Sequence, residues 1–234
     1  MIQHGVIVGG TGEVGRRLLA LMAGQEGLQV RVLTRQPGLP VQAPNLVALP
    51  FDYDDAAAYG RLFEDPCDLL LIALGTTRAK AGSDAAFLRV DRDYPILLIQ
   101  ALAAAWPLAR VGLVSSVGAD KPRGLYLGAK AAVETALAES GLAHAIARPS
   151  LLRSKRKEFR LLEVAVDRLL SPLILALGRG LFPRSRGWWA LAPVHVREVA
   201  ASLLAATLML EPGERCILEG LDLHPGPITQ WGKP

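Results

Sequence analysis

The sequence predicts a doubly wound α/β fold, a parallel sheet with helices on both faces, and three observations carry that expectation. Short apolar, β-branched runs recur along the chain and are separated by stretches of helical period. The first of these runs feeds a glycine-punctuated turn, and the turn opens an amphipathic helix. The 234 residues, 51% of them hydrophobic, suffice for a sizeable core in a single domain spanning 1–234.

The elements follow in order. Val6 to Val8 form the first strand, and Gly9-Gly10-Thr11-Gly12-Glu13-Val14-Gly15 the turn and helix start. Gly9 permits a sharp turn, Gly12 removes a Cβ where phosphates approach the backbone, and Gly15 lets the helix pack close to the strand. The helix carries Val14, Leu18, Leu19, Leu21 and Met22 toward the underside of a sheet. Its uncapped N–H groups and positive end suit a pyrophosphate. A dinucleotide cofactor is therefore expected, although the spacing is Gly-x-x-Gly-x-x-Gly rather than Gly-x-Gly-x-x-Gly.

The second strand, Leu28 to Thr34, runs into Arg35, at the position where an acidic residue would hold the ribose of NAD and an arginine suits the extra phosphate of NADP. NADP(H) is the expected cofactor, with Arg16 able to assist. Further buried parallel strands are read at Leu46 to Leu49, Leu69 to Leu74, Val111 to Val114 and Ala143 to Ala147, and helices at Asp84 to Ala105 and Leu125 to Glu139. The predicted strand order is 3-2-1-4-5-6, the Rossmann arrangement.

After Pro149 the alternation lapses. Residues 153–193 hold the basic run Arg153, Lys155, Arg156, Lys157 and Arg160, an apolar stripe broken by Pro172, and the pair Trp188-Trp189. This segment is expected to cover the cofactor's reactive end as a small C-terminal cap, or to face a protein partner or a homodimer contact.

The fifth strand ends Ser115-Ser116, and Tyr126-Leu127-Gly128-Ala129-Lys130 follows on a helix. Residues four apart share a helix face, so the Lys130 ammonium can sit beside the Tyr126 phenol. A phenol ordinarily ionises near pH 10, and a neighbouring cation favours its phenolate. Tyr126 is the expected general acid and Lys130 its activator. Ser116 is the first choice to orient a substrate carbonyl and Ser115 the second.

Composition narrows the class. A net charge of +4 with mostly scattered basic residues makes no demand for nucleic acid. No uncharged stretch reaches the roughly 18–20 residues of a membrane span, and no basic-then-apolar leader precedes the first strand, so a cytoplasmic protein without integral membrane association is expected. Cys67 and Cys216 read as small core residues in a reducing compartment. His4, His144 and His224 show no ligand spacing, so no metal site is expected, and His195 reads as structural.

Together these residues resemble the short-chain dehydrogenase/reductase superfamily in its atypical branch. Leu74-Gly75-Thr76-Thr77-Arg78-Ala79-Lys80-Ala81-Gly82, Val90-Asp91-Arg92-Asp93-Tyr94, Ser115-Ser116-Val117-Gly118-Ala119-Asp120-Lys121, Leu125-Tyr126-Leu127 and Pro193-Val194-His195-Val196-Arg197-Glu198-Val199-Ala200 look like the Tat-interactive oxidoreductase-like group. The resemblance implies NADPH contacts from Gly9, Thr11, Gly12, Glu13 and Val14, from Arg35 at the 2′-phosphate, and from Asp52 near the adenine. Leu74, Gly75 and Thr76 would line the middle of the cofactor, and Arg148, Pro149, Ser150 and Leu151 would pass beside the nicotinamide. Asp91 stands where many extended relatives carry asparagine. The resemblance implies a NADPH-dependent oxidoreductase acting on a small-molecule carbonyl or alcohol, or alternatively a NADPH-binding regulator without turnover. A sugar-nucleotide epimerase is disfavoured because little chain is left for a larger substrate domain.

Overall fold

The computed structural model describes residues 2–35, 38–150, 152–153 and 193–223. Within them lies a seven-stranded sheet built from β1 (His4–Val8), β2 (Gln29–Thr34), β3 (Leu46–Pro50), β4 (Leu69–Ile72), β5 (Arg110–Val114), β6 (Ala143–Ala147) and β9 (Arg215–Leu218). The order is β3-β2-β1-β4-β5-β6-β9, and every pairing is parallel. The expected order 3-2-1-4-5-6 is thus present, with a seventh strand added beyond β6. A separate two-residue parallel pairing joins β7 (Leu152–Arg153) to β8 (Val194–His195).

Alternation along each strand divides the core in two. Val6 and Val8 of β1 and Leu70 and Ile72 of β4 bury into one cluster with Leu98, Leu102, Val133 and Leu137, from α5 (Tyr94–Ala105) and α6 (Gly124–Glu139). Ile7, Leu69 and Leu71 point the other way, toward Leu18 and Leu19 of α1 (Glu13–Met22) and Leu203 of α7 (Val196–Met209). Strands with apolar residues on both faces belong in a sheet covered on both sides. At about 25 cal/mol per Å² of apolar surface, this two-layer burial is the main stabilising force of the fold.

Several elements differ from expectation. The strand read as Leu69 to Leu74 ends at Ile72, leaving residues 73–77 as a loop at the sheet's C-terminal edge. The helix read as Asp84 to Ala105 is α4 (Asp84–Leu88), a π-helical turn (Arg89–Asp93) and α5, and a short α3 (Arg78–Ala81) precedes it. Leu21 is exposed rather than facing the sheet. Strand β9 gave no continuous apolar signal because it is an edge strand whose Arg215 and Ile217 face outward. His195 caps α7, with its backbone N–H donating to Glu198 Oε2 at 3.4 Å, the structural role expected of this position. Leu151 and the segment 154–192, with most of the expected cap and both Trp188 and Trp189, lie outside the described residues.

Candidate active site

Strand β1 is flanked by β2, whose connection runs to one side, and β4, reached on the other, so a crevice opens at the C-terminal ends of the strands where the order reverses. The cleft there has a volume of about 800 Å³. Its lining brings together most residues read from the sequence: Gly9, Thr11, Gly12, Glu13, Val14, Arg35, Leu74, Gly75, Thr76, Ser115, Ser116, Tyr126, Lys130, Pro149 and Ser150.

The glycine turn is shaped by steric necessity. Gly9 has φ +82°, and a Cβ there would stand 2.4 Å from the carbonyl oxygen of Ala73. Gly15 does not line the cleft. It is a packing residue, since a Cβ would come within 2.1 Å of the Gly9 carbonyl oxygen, so its absence lets α1 start directly beneath the turn. Gly12 caps α1 without any side-chain hydrogen bond, leaving the first helical turn to be satisfied from the cleft side. This cradle fits a diphosphate. Arg16 turns back instead, its Nε donating to the Thr11 carbonyl at 2.9 Å.

Beyond Arg35 lies a small recess of about 80 Å³ lined by Tyr53, Val90 and Tyr94 as well as Gly9 and Leu74. The Tyr53 and Tyr94 rings stack with centroids 5.0 Å apart. Burial raises the Tyr53 phenol above its ordinary range, and the same cause raises Tyr94, whose hydroxyl donates to Asp54 Oδ1 at 2.8 Å. Asp52 is not part of the lining. Its Oδ1 accepts the Asp54 N–H at 3.0 Å, which turns it outward and leaves Asp54 facing the cleft.

At the other end, α6 presents Tyr126 and Lys130. Tyr126 is 45% exposed, whereas Lys130 is buried, its Nζ 6.0 Å from the Tyr126 ring centroid and 3.4 Å from the Leu74 carbonyl oxygen. The expected helical pairing is thus present geometrically. Lys130 is not alone: Asp91 Oδ1 lies 3.0 Å away. That oxygen is buried and has no hydrogen-bond partner of good geometry, while Oδ2 accepts the Thr76 N–H at 2.7 Å. Asp91 reaches inward from the π-helical turn, whose widened backbone carries it to the cleft, a recurrent use of such turns at functional sites.

The two serines diverge. The Ser115 hydroxyl is buried and donates to Glu134 Oε1 in a short hydrogen bond, so it is committed away from the cleft. Ser116 is half-buried, with only a long 3.4 Å contact to the Val117 carbonyl. Arg148 is also directed away from the cleft. Its guanidinium meets Glu134 at 2.5 Å and Glu219 at 2.7 Å, and these carboxylates, Glu134 first, push its pKa further above the ordinary arginine value. The network ties the ends of β5, β6 and β9 to α6 behind the site. Sequence reading had no role for Glu134. Its signal was a carboxylate one helical turn beyond Lys130 on an inward face.

Among the described residues no group of three or more His, Cys, Asp or Glu is placed to hold a metal ion. Cys67 is buried, its thiol pushed up to about 12 by desolvation. No described helix is long and apolar enough to cross a membrane.

A family profile described as NAD(P)H-binding matches residues 9–167. Protein FMP52, mitochondrial, from Candida albicans is 32% identical over 160 residues, covering 65% of this chain and 68% of that protein. Among solved structures, the Bordetella bronchiseptica enzyme WbmH in complex with NAD+ superposes with TM-score 0.67 at 15% identity, over 94% of this chain and 76% of that one. The oxidoreductase ylbE from Lactococcus lactis gives TM-score 0.64 at 19% identity, over 92% and 89% of the two chains. These structural likenesses show the fold. With a cradle suited to a diphosphate at the switch point of a Rossmann sheet and a family match over more than half its length, the chain belongs to the NAD(P)H-binding family.

Proposed function

We propose that this protein is a NADPH-dependent oxidoreductase of the atypical short-chain dehydrogenase type, exchanging hydride with a small carbonyl or alcohol substrate. The observation that carries the reading is that Tyr126 and Lys130 of α6 face the same cleft as the glycine turn of β1 and α1. The cofactor, when bound, supplies or accepts the hydride at its nicotinamide C4. The chain's residues do the rest. The turn at Gly9, Thr11, Gly12, Glu13 and Val14 holds the diphosphate, and Arg35 bonds the 2′-phosphate. Leu74, Gly75 and Thr76 support the middle of the cofactor, with Pro149 and Ser150 beside its reactive end.

In reduction, Tyr126 donates its phenolic proton to the substrate oxygen as the carbonyl carbon gains the hydride. Lys130 favours the phenolate left behind. Ser116 orients the oxygen, since the Ser115 hydroxyl is held by Glu134. Membership of the Tat-interactive oxidoreductase-like group and a cytoplasmic location belong to the same reading. Two observations favour a second reading, a NADPH-binding regulator: Tyr126 is 45% exposed, and the hydroxyl of one of the two serines is held by Glu134.

Calorimetric titration with NADPH and NADH tests the cofactor, followed by a carbonyl panel scored by NADPH oxidation. Arg35→Asp is expected to weaken NADPH binding by about tenfold or more while sparing NADH, the loss of a charge-assisted bond to phosphate. An equal loss for both cofactors would remove Arg35 from the 2′-phosphate. Tyr126→Phe is expected to lower turnover by at least about a hundredfold with NADPH affinity nearly unchanged. Tight NADPH binding with no turnover on any carbonyl would move the conclusion to the regulator.

A further inference from the structure

The end of the cleft beside Arg35 carries a second guanidinium that the sequence reading did not use. Arg89 opens the π-helical turn, and the next residue, Val90, lines the recess beyond Arg35 together with Tyr94. Arg35 and Arg89 both line the cleft, one directly after β2 and the other on the π-helical turn. Burial and Asp54 raise the Tyr94 phenol, and both guanidiniums pull it back down, so the two charges converge on one hydroxyl.

These charges are only partly balanced. Among the described residues, Asp54 is the carboxylate that shares this end of the cleft with them, and its Oδ1 is already divided. It accepts the Tyr94 hydroxyl at 2.8 Å and meets Arg89 Nη1 only at 3.3 Å. Among the described residues Arg89 makes no other side-chain hydrogen bond. The side chains of Arg89 and Asp54 are each more than half exposed, so the pair is screened by solvent and easily exchanged. A guanidinium has five N–H donors in a fixed fork, and one long bond to a shared oxygen leaves that fork open to a bidentate partner. A phosphate matches it in shape and supplies the negative charge that two guanidiniums and one carboxylate lack.

We propose that Arg89 holds the cofactor's 2′-phosphate together with Arg35, and that Asp54 limits this selectivity by competing for the Arg89 guanidinium. The proposal rests on the NADPH reading above and deepens it: cofactor choice depends on the π-helical turn as well as on the end of β2.

A contact and a general field are separable on the same element. Arg92, three residues along the turn, pairs with Asp93 at 2.6 Å and does not line the cleft. Arg92→Met therefore removes the same charge as Arg89→Met without touching the site.

The test is calorimetric titration of the full chain with NADPH and with NADH, read as the ratio of the two dissociation constants. Arg89→Met is expected to cut the preference for NADPH by about fivefold or more with NADH affinity kept, the loss of a partly exposed charge-assisted bond. Arg92→Met is expected to change it by less than about twofold at physiological salt. Asp54→Asn, which keeps an acceptor for the Tyr94 hydroxyl, is expected to raise it. A preference unchanged in Arg89→Met, or lowered equally by Arg92→Met, overturns the contact. A preference unchanged or lowered in Asp54→Asn overturns the competition.

Arg35→Met keeps this outcome distinct from the reading beneath it. A preference that depends on Arg35 but not on Arg89 overturns this proposal alone, whereas a wild type without preference, unaltered by Arg35→Met, overturns the NADPH reading as well. Should Arg89→Met not fold, Arg89→Gln reads the same ratio. The phosphorus resonance of the 2′-phosphate in bound NADP+ gives a second readout. It is expected to move in Arg89→Met and to stay in place in Arg92→Met, and a resonance unmoved by Arg89→Met overturns the contact.

Discussion

The two ends of the cleft are built in different ways. Around Gly9 to Gly15 the site is almost entirely backbone: a left-handed glycine, a helix start without a side-chain cap, and a contact so close that no Cβ fits. Around Tyr126 it is made of side chains held by buried ion pairs, Asp91 with Lys130 and Glu134 with Arg148, drawn from elements distant in sequence. A backbone cradle is rigid because its shape is set by local sterics. The second end has a fixed shape only while its pairs remain intact.

That contrast can be broken from either side. The largest effect is expected for Glu134→Ala, which strands the Arg148 guanidinium beside Glu219 alone and frees the Ser115 hydroxyl. Losing one partner of a buried pair costs about 3 kcal/mol, and urea unfolding should show this loss. A change within error would mean the network is dispensable and that this end of the site is held by packing.

Next comes Gly15→Ala. A glycine inside an exposed helix is usually improved by alanine, by about 1 kcal/mol. Here the added methyl meets the Gly9 carbonyl oxygen at 2.1 Å, so destabilisation by about 2 kcal/mol is expected. NADPH affinity should fall as the turn shifts. A stabilised variant with full affinity would show that the cradle is less rigid than its contacts require.

The smallest effect sharpens the comparison through pH. His144 on β6 is buried with Nδ1 2.8 Å from the Leu142 carbonyl oxygen, and desolvation lowers its pKa below the ordinary value. As pH falls through about 6.5, the unfolded chain binds a proton that the folded protein still refuses, so stability declines until the lowered folded value is passed. Above about pH 6.5 this contribution is level. Unfolding midpoints measured from neutral to mildly acidic pH should slope downward in the wild type and less so in His144→Gln. Identical slopes would assign the acid sensitivity to other groups.

The glycine end was legible in the sequence, since the positive φ of Gly9 and the close approach of Gly15 to the Gly9 carbonyl arise between residues only a few positions apart, although the Ala73 carbonyl that also crowds Gly9 comes from the end of β4. The place of Arg35 at the cleft was legible as well, since it directly follows the last residue of β2. Ser115 and Arg148 were read into the site by position; Ser115 lines the cleft and Arg148 does not, and both side chains turn to Glu134, a partner 19 residues from one and 14 from the other. Asp52 was displaced by an Asx turn that put Asp54 at the cleft. Spacing gave no warning of either arrangement, because a side chain's direction depends on which charged group shares its pocket.

By itself the sequence determined the parallel sheet in the order 3-2-1-4-5-6, the glycine turn between β1 and α1 and the helical spacing of Tyr126 and Lys130. These follow from local sterics and from the periods of strand and helix. The tertiary structure alone decided that β9 extends the sheet, that a π-helical turn delivers Asp91 to Lys130, and that Glu134 claims both Ser115 and Arg148. Buried charges must find partners wherever the fold brings them, and that requirement is satisfied across space rather than along the chain.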